Sequence, residues 1–296
     1  MTVVQIAAPA KINLALHITG QRRDGYHEID TCVAFARIGD ELSLKASPVN
    51  SLLVNGPFAA GLADEKTNLV AVAEAALRSA ALIAGHSSLT PVNMVLCKNL
   101  PIASGIGGGS ADAAAALLGL KALWQLPAGF DLLPTAASLG ADVPMCLLSL
   151  PVRARGVGER LEACALGKDM PAVLVNAGIR APTELVFGAL KQRQNPALEA
   201  TNQILHAWLK RQRNDLQEPA IGLFAAIAET LSLLRDCNGI ILARMSGSGA
   251  TCFGLFATMT EARAAARLIG NAKPSWWCVA TQLLAGPNPS RLKLEN

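Results

Sequence analysis

The residues best suited to chemistry fall in four stretches, the longest being Pro101-Ile102-Ala103-Ser104-Gly105-Ile106-Gly107-Gly108-Gly109-Ser110-Ala111. Ahead of it, Val92, Met94 and Leu96 alternate with Asn93 and Cys97, which predicts a strand. Behind it, Ala113 to Trp124 is rich in helix formers, with Ala114, Leu117, Leu118 and Lys121 sharing a face. Ser110 is the expected N-cap of that helix, and Asp112 falls in its first turn. A strand, a glycine loop and a helix start together present unpaired N–H groups and a positive dipole end, which is an anion site. Four glycines in five residues cost more backbone entropy than a simple turn warrants, and they let a phosphate approach the main chain closely. The loop lacks the Gly-Lys-Ser/Thr ending of a P-loop. Ser110 also stands where a dinucleotide fingerprint has its third glycine, so neither common nucleotide motif fits.

The second stretch is Ala10 to Ile18, a clean alternation that directs Ile12, Leu14, Leu16 and Ile18 to a core. Lys11, Asn13, Ala15 and His17 then share the other face, with Lys11 and Asn13 about 7 Å apart. Taken alone, Lys11 reads first as a solvated edge lysine, with a cation of a site as the alternative. The third, Gly20 to His27, is a polar loop with an Asp24-Gly25 turn, followed by Tyr26, the only tyrosine, and His27. These two rings could stack on and hydrogen-bond a planar ligand, or pack locally. In the fourth, Gly140 ends a helix begun at Asp131, and Pro144 pushes Val143 out of the helical region. Asp142 is thereby placed at a sharp exit, a turn position that also suits a reactive carboxylate.

These stretches need a scaffold, and the composition supplies one. Of 296 residues, 51% are hydrophobic and 16% charged, enough for a large core and two domains of ordinary size. No apolar run reaches the ~20 residues of a membrane span, and residues 1–10 lack a secretory pattern, so a cytoplasmic protein without a membrane partner is expected. A net charge of +4 without a long basic tract gives no reason to expect nucleic acid. Seven cysteines without a C-x-x-C pair read as free, buried thiols, and four scattered histidines offer no metal site. Strands are expected at 33–38 and 41–44 around a Gly39-Asp40 turn, and at 52–54, 173–176, 240–243, 252–256 and 276–284. Helices are expected at 68–84, 183–190, 200–211, 219–235 and from a Thr260 cap to 269, with a frayed tail from Gly286. The mixture is α+β, with domains at 1–150 and 151–296 and a soft boundary, because the last strand could return to the first domain.

Three segments, Pro9-Ala10-Lys11-Ile12-Asn13-Leu14, Leu100 to Ser110 and Ser246-Gly247-Ser248-Gly249-Ala250, resemble in order and spacing the three motifs of the GHMP kinase superfamily, which phosphorylates small alcohols. Gly20 to His27, Leu139 to Pro144, Gly156 to Glu159, Pro182-Thr183 and Asn214-Asp215-Leu216 resemble one branch of it. That branch acts on an alcohol carrying a cytidine diphosphate in the non-mevalonate isoprenoid route. The resemblance implies a two-domain GHMP kinase fold with the active site in the interdomain cleft, ATP as co-substrate with Mg2+ accompanying it, and a small cytidyl-diphosphate substrate. It implies Lys11 and Asp142 as catalytic residues, and Pro101 to Ala111 with Lys98 and Asn68 around ATP. Asn13, Tyr26, His27 and Thr183 would meet the substrate, and Gly247, Ser248 and Gly249 would form a loop closing the site. Ala103, Ser104, Ile106 and Ala111 depart modestly from the motif. No dedicated metal ligand is identifiable beyond Ser110 as a candidate, and a monomer or weak homodimer is expected. The alternatives are a kinase for homoserine, mevalonate or a sugar, or a non-catalytic nucleotide-binding regulator.

Overall fold

The structure is a computed structural model that describes residues 2–60, 62, 67–201, 203–288 and 291–295. The first half of the chain runs β1 (Val3–Gln21), β2 (His27–Ala46), β3 (Ser51–Asn55), α1 (Leu69–Ile83), β4 (Val92–Cys97), α2 (Gly108–Leu123), α3 (Leu133–Leu139) and α4 (Val143–Leu148). Next come β5 (Val152–Gly156), β6 (Arg160–Ala163), β7 (Ala165–Leu166), β8 (Met170–Asn176), α5 (Thr183–Gly188), β9 (Gln203–Ile204) and α6 (His206–Arg211). The chain finishes with α7 (Gln217–Leu223), α8 (Ala225–Arg235), β10 (Leu242–Met245), β11 (Cys252–Leu255), α9 (Met259–Ala272), β12 (Trp277–Leu284) and β13 (Leu292–Glu295).

The expected α+β mixture is what forms, and one sheet carries both halves in the order β10-β11-β8-β12-β2-β1-β13. β2 makes this possible, because its length lets one edge serve three partners. Ile29–Val33 pairs with β5, Phe35 and Ala36 with β12, and Glu41–Ala46 with β4, while its other edge pairs with β1 throughout. β12, from the end of the chain, returns to pair with β2 in the first half. β1 likewise threads three apolar cores: Val4 and Ile6 enter one with α1 and α2, Ile12 and Leu14 a second with β8 and β11, and Leu16 and Ile18 a third with α7 and α8. Burying those side chains is worth about 1.5–3 kcal/mol each, which pins β1 along its whole length.

Several expectations change. Gly39-Asp40 is not a turn: β2 runs through it, Gly39 pairs with Pro9, and a side chain at Gly39 would collide with the Ala8 carbonyl. The glycine admits the neighbouring strand rather than reversing the chain. Ser110 is not the N-cap of α2; Gly107, at φ +66°, takes that position, and Ser110 lies in the first turn. Pro144 does not eject the chain from a helix but opens one, since its missing N–H is harmless in the first turn of α4. The expected helix at 200–211 splits into β9 and α6, and that at 219–235 into α7 and α8, broken where Phe224 is extended. The cap of α9 is Thr258, whose side chain and Glu261 form a reciprocal capping box, not Thr260. The tail does not simply fray: Leu292–Glu295 pairs with Val3–Ile6. The seven thiols are free and buried or half-buried, as expected.

Candidate active site

A cleft of about 640 Å³ lies where the glycine loop, β1, the start of α4, α5 and the 246–249 loop converge. Lys11 forms its floor. Its backbone N–H donates to the Ile106 carbonyl at 2.8 Å, and its Nζ donates to Asp142 Oδ2 at 2.6 Å. Lys11 is buried, whereas the Asp142 side chain is 38% exposed, so the carboxylate is the half of the pair that meets the cleft. Gly107 covers the lysine stem: a side chain there would stand 3.1 Å from Lys11 Cβ and Cε. The solvated reading of Lys11 is therefore set aside, because residues a hundred positions away roof its strand face.

The glycine loop and the 246–249 loop meet main chain to main chain. Thr251 N–H donates to the Ser104 carbonyl at 3.0 Å, and the Ser246 hydroxyl donates to the Gly105 carbonyl at 3.1 Å while accepting from Asn13 N–H at 3.1 Å. Gly105, at φ +75°, has the Ser246 and Gly249 carbonyls 2.6 Å from where a Cβ would be. Pro101, Ile102, Ala103, Ser104, Gly108, Gly109 and Ser110 line the cleft, as do Gly247 and Ser248, while Ile106 and Ala111 are buried beneath the loop. The first turn of the sixteen-residue α2 thus brings its free N–H groups and dipole end to the cleft.

On the opposite wall, Thr183 Oγ1 lies 3.0 Å from Ser248 Oγ, and Phe187 lines the cleft with its ring 5.0 Å from that of His27, tilted by 42°. Burial, with Arg193 adding to it, lowers the pKa of His27 and favours its neutral form, and its Nε2 is buried without a partner among the described residues. Asn13 donates to the Thr31 hydroxyl at 2.9 Å, and its own Oδ1 is buried and unpaired among the described residues. Neither His27 nor Tyr26 lines the cleft itself: His27 reaches it only through Phe187, and Tyr26 is 67% exposed on the turn between β1 and β2.

Asn68 and Lys98 line the cleft, yet both carry structural duties. Asn68 caps α1 by accepting from Val70 N–H at 3.0 Å. Lys98 is ion-paired to Asp40 and, at 2.6 Å, to Asp112, all three buried. Asp40 also accepts from the N–H groups of Asn99 and Leu100, so the cluster ties the exit of β4 to the first turns of α2. Burial raises the Asp112 carboxyl to about 8 against the opposing pull of Lys98. Burial works against the Lys98 charge, but Asp112 and Asp40 outweigh it and hold that amine above its usual value.

With this geometry in place, known proteins can be set beside it. The profile described as "GHMP kinases N terminal domain" matches residues 68–149, and "GHMP kinases C terminal" matches 191–273. A 4-diphosphocytidyl-2-C-methyl-D-erythritol kinase from Cereibacter sphaeroides is 47% identical over 289 residues, covering 94% of this chain and 98% of its own. The chain belongs to that kinase family. One from Brucella melitensis is 48% identical over 282 residues, covering 92% of each chain. A crystal structure of 4-(cytidine 5'-diphospho)-2C-methyl-D-erythritol kinase superposes with a TM-score of 0.79 at 37% identity, covering 95% of this chain and all of its own. A homoserine kinase structure from Cytophaga hutchinsonii, at 16% identity and a TM-score of 0.72, shares the fold alone. As a member of this kinase family the chain is a phosphotransferase with ATP as its co-substrate.

Sequence reasoning did not find Phe187, the Ser246 hydroxyl or the Asp40 partner of Lys98. Phe187 looks like any apolar residue of a short helix, and Asp40 beside a glycine looks like a turn. Ser246 was within reach, since a hydroxyl heading a Gly-Ser-Gly run is well placed to bond main chain.

Proposed function

We propose that this chain transfers the γ-phosphoryl group of ATP to the 2-hydroxyl of 4-diphosphocytidyl-2-C-methyl-D-erythritol. The observation that carries the reading is the Lys11–Asp142 pair, closed at 2.6 Å between the start of α2 and a wall that carries Phe187, against whose ring His27 packs. Asp142, the exposed half of the pair, accepts the proton of the attacking hydroxyl. Lys11 orients that carboxylate and stabilises negative charge that develops on the alkoxide and the phosphoryl oxygens. The N–H groups of Gly107, Gly108, Gly109 and Ser110 hold the phosphates. The buried Nε2 of His27 and Oδ1 of Asn13 are hydrogen-bonding atoms that lack partners among the described residues, which suits recognition of the cytosine edge and of the substrate's polar middle. Tyr26 closes over the base from its turn, and Thr183 meets the substrate beside Ser248. Gly247, Ser248 and Gly249 close the site from the second half of the chain.

Mg2+ accompanies ATP and neutralises phosphate charge during transfer. Among the described residues, no three His, Cys, Asp or Glu side chains gather to hold an ion. The donors present, the Ser110 hydroxyl beside the phosphate amides, suit an ion held mainly by phosphate oxygens and water. Asn68 and the main chain near Lys98 border the adenine. We further assign residues 1–150 to a nucleotide-side domain and 151–296 to a second one, in a cytoplasmic monomer or weak homodimer. No helix among the described residues is long and apolar enough to cross a membrane.

Coupled ADP production with ATP and Mg2+ tests the reading. Turnover on the cytidyl substrate, with none on homoserine or mevalonate, is expected. Preference for another alcohol would remove the role given to His27 and Tyr26.

A further inference from the structure

A second cavity, of about 860 Å³, lies between the end of α5, the 212–217 segment, α7 and the end of α8. Four cations, Lys191, Arg213, Arg235 and Arg244, line it against two carboxylates, Asp215 and Glu218. Asp215 is already spent, since it accepts from Arg213 Nε at 2.6 Å and from Ile18 N–H at 2.8 Å.

Arg244 is the unusual member. It is 6% exposed, and among the described residues its guanidinium donates only to the carbonyls of Leu14, Leu209 and Gln212, at 2.6, 3.0 and 2.6 Å. Arg153, also buried, is held instead by both oxygens of Asp30. Among the described residues no carboxylate pairs with Arg244, and burial pulls its pKa down to about 10. A buried cation balanced by dipoles alone is costly unless an anion can reach it, and the cavity gives that access. Lys191 and Arg235 are likewise without an ion-pair partner among the described residues and stand exposed at the rim. Leu190, Pro219 and Leu223 supply an apolar wall beside them.

The floor of this cavity is also the back of the catalytic cleft. Asn214 donates to the carbonyls of Met245 and Gly247 at 2.8 Å each, Gln217 accepts from Met245 N–H at 3.0 Å, and Leu216 lines the cleft itself. One short segment, a turn leading into α7, therefore faces two cavities.

We propose that the second cavity binds a small organic phosphate, its anionic head near Arg244, Arg235 and Lys191 and a short apolar tail on Leu190 and Leu223, and that it acts on turnover through the 214–217 segment. The proposal does not depend on which alcohol the kinase prefers.

Hexyl phosphate is the probe, with inorganic phosphate as the tail-less control. Calorimetric titration of the full chain, its cleft filled by a non-hydrolysable ATP analogue, should show one site and weaker binding of inorganic phosphate. Steady-state turnover should change at least about twofold on saturation, a coupling of modest size. The Lys191→Ala/Arg235→Ala variant should keep its basal activity and bind the probe at least about tenfold more weakly, as expected for losing two charged contacts. Absence of binding, displacement of the probe by the analogue, unchanged affinity in the variant, or binding without effect on turnover would each overturn the proposal.

Discussion

Lys11 and Lys98 both reach the same cleft and both bond carboxylates, but the two regions are built oppositely. Lys11 has one carboxylate, Asp142, whose side chain is 38% exposed. Lys98 has two, Asp40 and Asp112, whose side chains are 0% and 5% exposed. The carboxylate beside Lys11 can give and take a proton with whatever fills the cleft. The carboxyl groups beside Lys98 face inward: Asp40 accepts from Lys98 and from two backbone N–H groups, and Asp112, carried on α2, accepts from Lys98 through Oδ2. A charged pair open on one side is equipped for chemistry, and a closed one holds a loop in shape.

The sharpest way to break this contrast is to remove each region's charge in turn. Asp142→Asn should lower turnover by about 10²–10⁴-fold, the usual worth of a positioned proton acceptor, with the melting temperature nearly unchanged. Lys98→Met should do the reverse. It takes the shared cation away from Asp40 and Asp112 and should cost about 3–5 kcal/mol in urea unfolding, while protein that remains folded still turns over. Gly105→Ala should have an intermediate effect. It forces a side chain against two carbonyls at 2.6 Å in a left-handed backbone, should cost about 1–3 kcal/mol, and should raise KM for ATP by separating the two loops.

The smallest effect expected is a pH dependence. Asp112 has its pKa raised from 3.8 to about 8 by burial, so the folded state holds its proton more tightly than the unfolded chain does. That stabilisation is fully present below pH 3.8 and falls away as the pH climbs towards 8. The urea midpoint of the parent should therefore decline between pH 6 and 8, and Asp112→Asn should flatten that part of the profile. A decline of equal steepness in both proteins would remove Asp112 as its source.

Much of the site was legible because local pattern and chemistry coincided. The glycine run marked a helix start that opens on the cleft, the alternation around Lys11 and Asn13 put both on one strand, and Gly140 ended its helix where expected. What was not legible depended on residues distant in the chain. The burial of Lys11 follows from Gly107 lying over it, and the role of Asp40 follows from a lysine 58 positions later. Gly39-Asp40 has the composition of a turn, and only the close approach of the Ala8 main chain shows why a glycine is needed within a strand. Thr258 and Thr260 are both plausible caps, and the choice between them rested on which one had Glu261 three residues ahead.

The central claim, that the Lys11–Asp142 pair performs the chemistry, is tested most directly by single-turnover transfer from ATP to the cytidyl substrate in Asp142→Asn, alongside its melting curve. The account predicts transfer slowed by about three orders of magnitude in a protein that binds ATP and melts like the parent. Transfer at near-parental rate in a folded Asp142→Asn protein would contradict it.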